Sequence, residues 1–212
     1  MIALPRRMAA LRIDPQRGVP VPWFVAWIDG KPDFRVIDVG KIEDAIKFKK
    51  CWVCGQEVGR NLSFLIGPMC AISKTTSEPP CHHECAVYSA RACPFLANPH
   101  QRRREKNLPE NDGSAGLGFK RNPGVALVWT TRSFKLFPDH NGRTLISVGP
   151  PEQVEWFAES RVATRAEVQA SIDSGYPLLD AECDRDKNPA YSRKRLAEAV
   201  AAIDKLLPAA AP

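Results

Sequence analysis

Cys51-Trp52-Val53-Cys54-Gly55 places two thiols three positions apart with a glycine directly behind them. Two thiolates at that spacing can hold one ion only if the chain turns tightly between them, and a glycine permits the strained conformation that follows. Thirty residues on, Pro79-Pro80 precedes Cys81-His82-His83-Glu84-Cys85. If a helix opens there, His82 and Cys85 lie three apart and Cys81 and Cys85 four apart, so either pair faces one ion. The chemistry offered is metal ligation by thiolate and imidazole. Cys51, Cys54, His82 and Cys85 are the expected ligands of a zinc ion, with Cys81, Cys70 and Cys93 as alternates for the fourth position. Four protein ligands leave no open position, so the ion is expected to be structural.

Those residues need elements to place them. A knuckle at 51–55, a small hairpin with strands 61–66 and 69–72 turning at Gly67-Pro68, and a helix from Cys81 to about Ala92 resemble a treble-clef zinc finger. Catalytic zinc patterns fit worse. A nucleobase deaminase has H-x-E before P-C-x-x-C, the reverse of the order here. Val87 stands where H-E-x-x-H requires its second histidine. HNH-type nucleases resemble the module more closely, but their base lies between knuckle and helix, and residues 55–80 contain no histidine. His82 or His83 would have to serve.

Six of the seven cysteines fall between Cys51 and Cys93, and Cys183 stands apart. The N-terminus shows no apolar signal segment, so a cytoplasmic, reducing location is expected, where clustered cysteines bind metal rather than pair. The apolar run 62–72 is far too short to span a bilayer, and no membrane partner is expected. With 212 residues, 44% hydrophobic and 25% charged, the composition excludes a wholly disordered chain. No Gly-rich phosphate loop, nucleophile elbow or paired-acid motif is present.

Net charge is +6, and +4 of it lies between Arg91 and Arg121. Arg102, Arg103, Arg104 and Lys106 follow the zinc helix, while Lys49, Lys50 and Arg91 flank the module. Converging, they would form a positive surface able to neutralise phosphates of DNA or RNA. Residues 97–118 interleave no aromatic side chains suited to base stacking among those charges, which argues against a dedicated single-strand binder.

Along the chain, residues 1–20 read as a flexible basic arm. Residues 21–50 read as a hairpin turning at Asp29-Gly30 and a short amphipathic helix. The zinc module occupies 51–96 and a basic exposed loop 97–123. Strands within 124–149 are expected to form a meander completing a sheet with the N-terminal hairpin. Residues 150–208 read as helical, with Val154, Phe157 and Ala158 on one stripe. There, Thr164-Arg-Ala-Glu167 is a capping box, Gly175 a stop, and Asn188-Pro189 the start of a last helix. The fold class is α+β: an antiparallel sheet with an inserted treble-clef-like zinc module and a helical C-terminal part.

The phrases Pro22-Trp-Phe-Val-Ala-Trp-Ile-Asp-Gly30, Cys51-Trp-Val-Cys-Gly55, Gly67-Pro-Met-Cys-Ala71 and Ala92-Cys-Pro-Phe-Leu96 resemble uncharacterised cysteine-rich proteins of bacteria and phages. That resemblance brings no activity or catalytic residue with it. The expected function is a zinc-stabilised protein that binds nucleic acid. The alternatives are a phage or accessory adaptor or inhibitor acting on a host protein, and a metal-dependent HNH-like nuclease.

Overall fold

In a computed structural model of the chain, residues 2–98 and 122–209 are described. The order is β1 (Val25–Ile28), β2 (Lys31–Ile37), α1 (Lys41–Lys47), β3 (Leu62–Ile66), α2 (Pro68–Ser73), β4 (Thr75–Thr76), α3 (His83–Ala92) and α4 (Pro94–Ala97). After the undescribed stretch come β5 (Ala126–Thr131), β6 (Phe134–Pro138), β7 (Thr144–Val148), β8 (Gln153–Ala158), β9 (Arg161–Val162), α5 (Arg165–Cys183) and α6 (Pro189–Asp204). The fold is α+β, with every strand pair antiparallel and a helical C-terminal part.

The central strand is β5. Ala-Leu-Val-Trp-Thr-Thr carries no charge, and all six residues are buried. A strand with both faces covered reads as a continuous apolar run, because neither face can be polar. Side chains alternate, so Leu127 and Trp129 enter one core with Phe64, Met69, Ile72, Trp156 and Ile172. Ala126 and Val128 enter a second core around Cys51, Trp52, Cys81 and Cys85. One strand thus joins the C-terminal helices to the cysteine cluster.

β5 lies between β3 and β8 in the sheet order β3-β5-β8-β9. Phe64 pairs with Trp129, and Leu127 with Trp156. A smaller sheet runs β4-β7-β6, and β1-β2 stands alone. The expected meander onto the N-terminal hairpin therefore does not form. The hairpin turn itself does form at Asp29-Gly30, both with positive φ of 48° and 74°, the geometry of a two-residue Asp-Gly loop. The hairpin reaches the knuckle through stacking of Phe24 on Trp52, with ring centroids 4.6 Å apart.

Three further expectations give way to packing. Gly67-Pro68 opens α2 instead of turning a hairpin, since proline at the first helical position loses no hydrogen bond. Residues 153–158 form β8, not a helix, because Trp156 and Phe157 pair across β5 and fill opposite cores. Gly175 does not stop α5. The helix continues to Cys183, and a Cβ on Gly175 would stand 2.7 Å from Met69 Sδ, so its missing side chain lets α2 pack closely.

The capping box at Thr164 and Glu167 is present in both directions, and Val168 and Ile172 are buried behind it. Asn188 caps α6 by accepting from the Tyr191 N–H. Nor is the N-terminus a free arm. Met8 is buried in the cysteine core, and Gln56 Nε2 donates to the Arg7 carbonyl. Among the described residues, no helix is long and apolar enough to cross a membrane.

Candidate metal centre

The knuckle closes when the Gly55 N–H donates to the Cys51 carbonyl at 2.9 Å and the Cys51 N–H to the Gln56 carbonyl at 2.7 Å. Gly55 takes a φ of +74°, and Trp23 packs over the space where its Cβ would lie, 2.6 Å away. Both facts require glycine. The second half of the site hangs from β3. Cys81 exchanges both backbone hydrogen bonds with Ser63, and the Trp52 N–H donates to the Pro80 carbonyl. This sets His82 as the extended N-cap of α3 and Cys85 one turn inside it.

The result is a group of four. The ligand atoms of Cys51, Cys54, His82 and Cys85 all lie within 4.8 Å of one another. Cys54 Sγ is 3.4 Å from His82 Nδ1. A tetrahedron with metal–sulfur bonds of about 2.3 Å and metal–nitrogen bonds of about 2.0 Å has sulfur–nitrogen edges of about 3.5 Å, so the spacing fits a four-coordinate ion. The donors suit one too. Three sulfurs and one imidazole are a soft set that could hold a metal ion.

Backbone groups reach two of the four, Cys51 and His82. The N–H groups of Cys54 and His82 both point at Cys51 Sγ, each at 3.4 Å. His82 Nε2 is 2.9 Å from the Glu57 carbonyl oxygen. A carbonyl only accepts, so Nε2 carries the proton and Nδ1 offers its lone pair to the ion. Hydrogen bonds from the thiols of Cys54, Cys81 and Cys85 hold Cys51 far below the ordinary thiol range. The same hydrogen bonds, made as donors, push Cys81 and Cys85 up. Binding of a metal ion releases the protons that such thiols carry.

Among the alternates, Cys81 is buried and its thiol reaches Cys51, but it lies outside the group of four. Cys70 sits on α2, where burial pushes its thiol up to about 11. Cys93 lies between α3 and α4. Neither joins the cluster. Trp52, between the two knuckle cysteines, is 2% exposed and stacks on Phe24. His83 is not simply solvent-facing, since its Nε2 meets Glu155 Oε2, which also accepts from Gln153. Beside the centre opens a groove of about 650 Å³, lined by Arg7, Arg60, Asn61, His82, His83 and Glu84.

The basic residues separate into two groups. Lys49 is exposed and Lys50 half-buried next to the knuckle, held where the Lys50 backbone forms a β-bridge with Glu57 and the Val58 N–H meets the Lys49 carbonyl. Arg91 is engaged elsewhere, its Nε donating to the Ser160 carbonyl at 2.9 Å. Arg102, Arg103, Arg104 and Lys106 lie outside the described residues.

Two aromatic residues join the lysines without having been singled out with them. Lys41 Nζ lies 4.2 Å and Lys50 Nζ 5.3 Å from the Trp23 ring centre. Lys47 and Lys50 approach Phe48 at 5.2 and 5.5 Å. The signal was in the sequence as Lys47-Phe48-Lys49-Lys50, interleaved charge and ring outside the 97–118 stretch. No family model, curated protein or solved structure matches the chain.

Proposed function

We propose that the protein is a zinc-stabilised nucleic-acid-binding protein, with the ion structural and the contact surface beside it. Zinc is the choice because three thiolates and an imidazole at tetrahedral spacing suit it and leave no position open for a reacting group. The observation that carries the binding reading is the convergence of Lys41, Lys47 and Lys50 on Trp23 and Phe48 at the edge of the knuckle. Cations and ring faces on one rigid edge are what a phosphate backbone with accessible bases engages. Arg102, Arg103, Arg104 and Lys106 add four positive charges to the same chain and are further candidates for phosphate contact in this reading.

Binding of zinc-loaded protein to labelled DNA and RNA across a salt series is the test. Each phosphate contact contributes about −0.9 to the slope of log affinity against log salt on duplex DNA and about −0.7 on single strands. Lys50→Glu and the triple change Arg102→Ala, Arg103→Ala, Arg104→Ala should each weaken binding and flatten that slope. Absence of binding at about 50 mM salt removes the reading.

A second reading, a metal-dependent nuclease, is favoured by one arrangement: His83 paired with Glu155 at the groove that holds Arg7 and Arg60. Plasmid cleavage that needs added magnesium and vanishes in His83→Ala would support it. Intact plasmid under those conditions removes it.

A further inference from the structure

We infer that the lysine-ringed face at Phe48 is a single-strand site, on which one unpaired base stacks while Lys47 and Lys50 meet its flanking phosphates. The inference rests on the nucleic-acid reading above and specifies the form of the ligand.

Phe48 closes α1 and remains 51% exposed. It contributes to neither hydrophobic core, so packing does not account for an aromatic ring there. Its neighbours are cations on both sides in sequence and, at 5.2 and 5.5 Å, in space. The lysines are held by the backbone. Lys49 takes a positive φ of 48° that reverses the chain after α1. The Lys50 backbone is then fixed by an isolated antiparallel β-bridge to Glu57, two residues beyond the knuckle glycine. Trp23 stands beside that face, half-buried against the cysteine core and tied by its backbone N–H to the Val53 carbonyl at 2.7 Å.

A duplex buries its base faces within the stack and offers only groove edges and phosphates, so a ring half-exposed at a helix end gains little from it. A single strand offers the face of an unpaired base and the phosphates on either side of it together. Lys41 shares its charge with Asp38 at 3.8 Å, so Lys47 and Lys50 are the cations placed for those phosphates. Stacking is open to every base because each has a π-face, so the site should accept any sequence.

The test compares zinc-loaded full-length protein with labelled oligothymidine of about 12 nucleotides and a duplex of equal length. The wild type should bind the single strand about tenfold more tightly than the duplex. Phe48→Ala should abolish that margin by lowering single-strand affinity more than duplex affinity, with zinc content unchanged, and F48W should restore it. Equal affinity for both ligands, or a margin untouched by Phe48→Ala, overturns the single-strand site while the nucleic-acid reading stands. Failure to bind either ligand overturns both.

Discussion

His82 Nε2 stands 2.9 Å from the backbone carbonyl of Glu57, while the other ring nitrogen points at Cys54 Sγ 3.4 Å away. The knuckle strand thereby fixes the tautomer of a residue 25 positions later, and the imidazole arrives with its lone pair aimed into the thiol cluster. Only the carbonyl of Glu57 takes part, so its side chain is free to vary.

Substitutions should follow that division. His82→Ala and Cys85→Ser each remove a ligand, and metal affinity should fall by at least about 100-fold. Glu57→Gln should leave it unchanged. Cys81→Ser should still hold one ion per chain, because Cys81 is outside the group of four. Titration against a chromophoric chelator distinguishes these outcomes, and retention of wild-type affinity in His82→Ala contradicts the assignment.

Gly55→Ala combines two penalties, a left-handed backbone and a Cβ 2.6 Å from the Trp23 ring. Overpacking of this kind costs about 1–3 kcal/mol, to which the conformational cost adds about 1 kcal/mol. For a chain of this size the melting temperature should drop by roughly 5–15 °C. Gly18, also at positive φ but with open space around it, provides the contrast: Gly18→Ala should cost only the conformational part.

The capping box gives a pH-dependent prediction. Hydrogen bonds from Arg161 and from Thr164 hold the Glu167 carboxyl at about 2, below its ordinary 4.5. A folded-state value below the unfolded one means that this stabilisation is complete above about pH 4.5 and is lost as pH falls toward 2. Glu167→Gln should therefore destabilise the protein by about 1 kcal/mol near neutrality, less at high salt because Arg161 is exposed. Denaturant melts at pH 7 and pH 2.5 should show the difference between variant and wild type shrinking at the lower pH.

Local signals were legible where a few neighbouring residues settle the structure. The Asp29-Gly30 turn, the Thr164 capping box, the Asn188 cap and the Cys51–Gly55 knuckle all belong to that class. Strand partners were not, because pairing depends on residues far apart. The continuous apolar run that marks a strand covered on both sides occurs at both Val21–Ile28 and Val125–Thr130. Only the second lies in the centre of a sheet with both faces buried; the first contributes β1, four residues long. Likewise Pro150-Pro151-Glu152 has the chemistry of a helix start, yet Trp156 and Phe157 are drawn into β8 by two cores that the sequence does not display. Gly175 failed as a stop signal for a related reason. A glycine can end a helix, or it can let Met69 approach one, and only the tertiary contact distinguishes the two. Within the site, spacing put forward Cys51, Cys54, His82 and Cys85 with Cys81, Cys70 and Cys93 as alternates; that the first four cluster, and that His82 is linked to Glu57, required the fold.

X-ray absorption at the metal edge of the purified protein tests the four-residue centre most directly. One zinc per chain is expected, with three sulfurs at about 2.3 Å and one nitrogen at about 2.0 Å, the nitrogen shell disappearing in H82C. A purified chain with no stoichiometric metal, a shell of oxygen and nitrogen only, or four sulfurs in the wild type would contradict the assignment of Cys51, Cys54, His82 and Cys85.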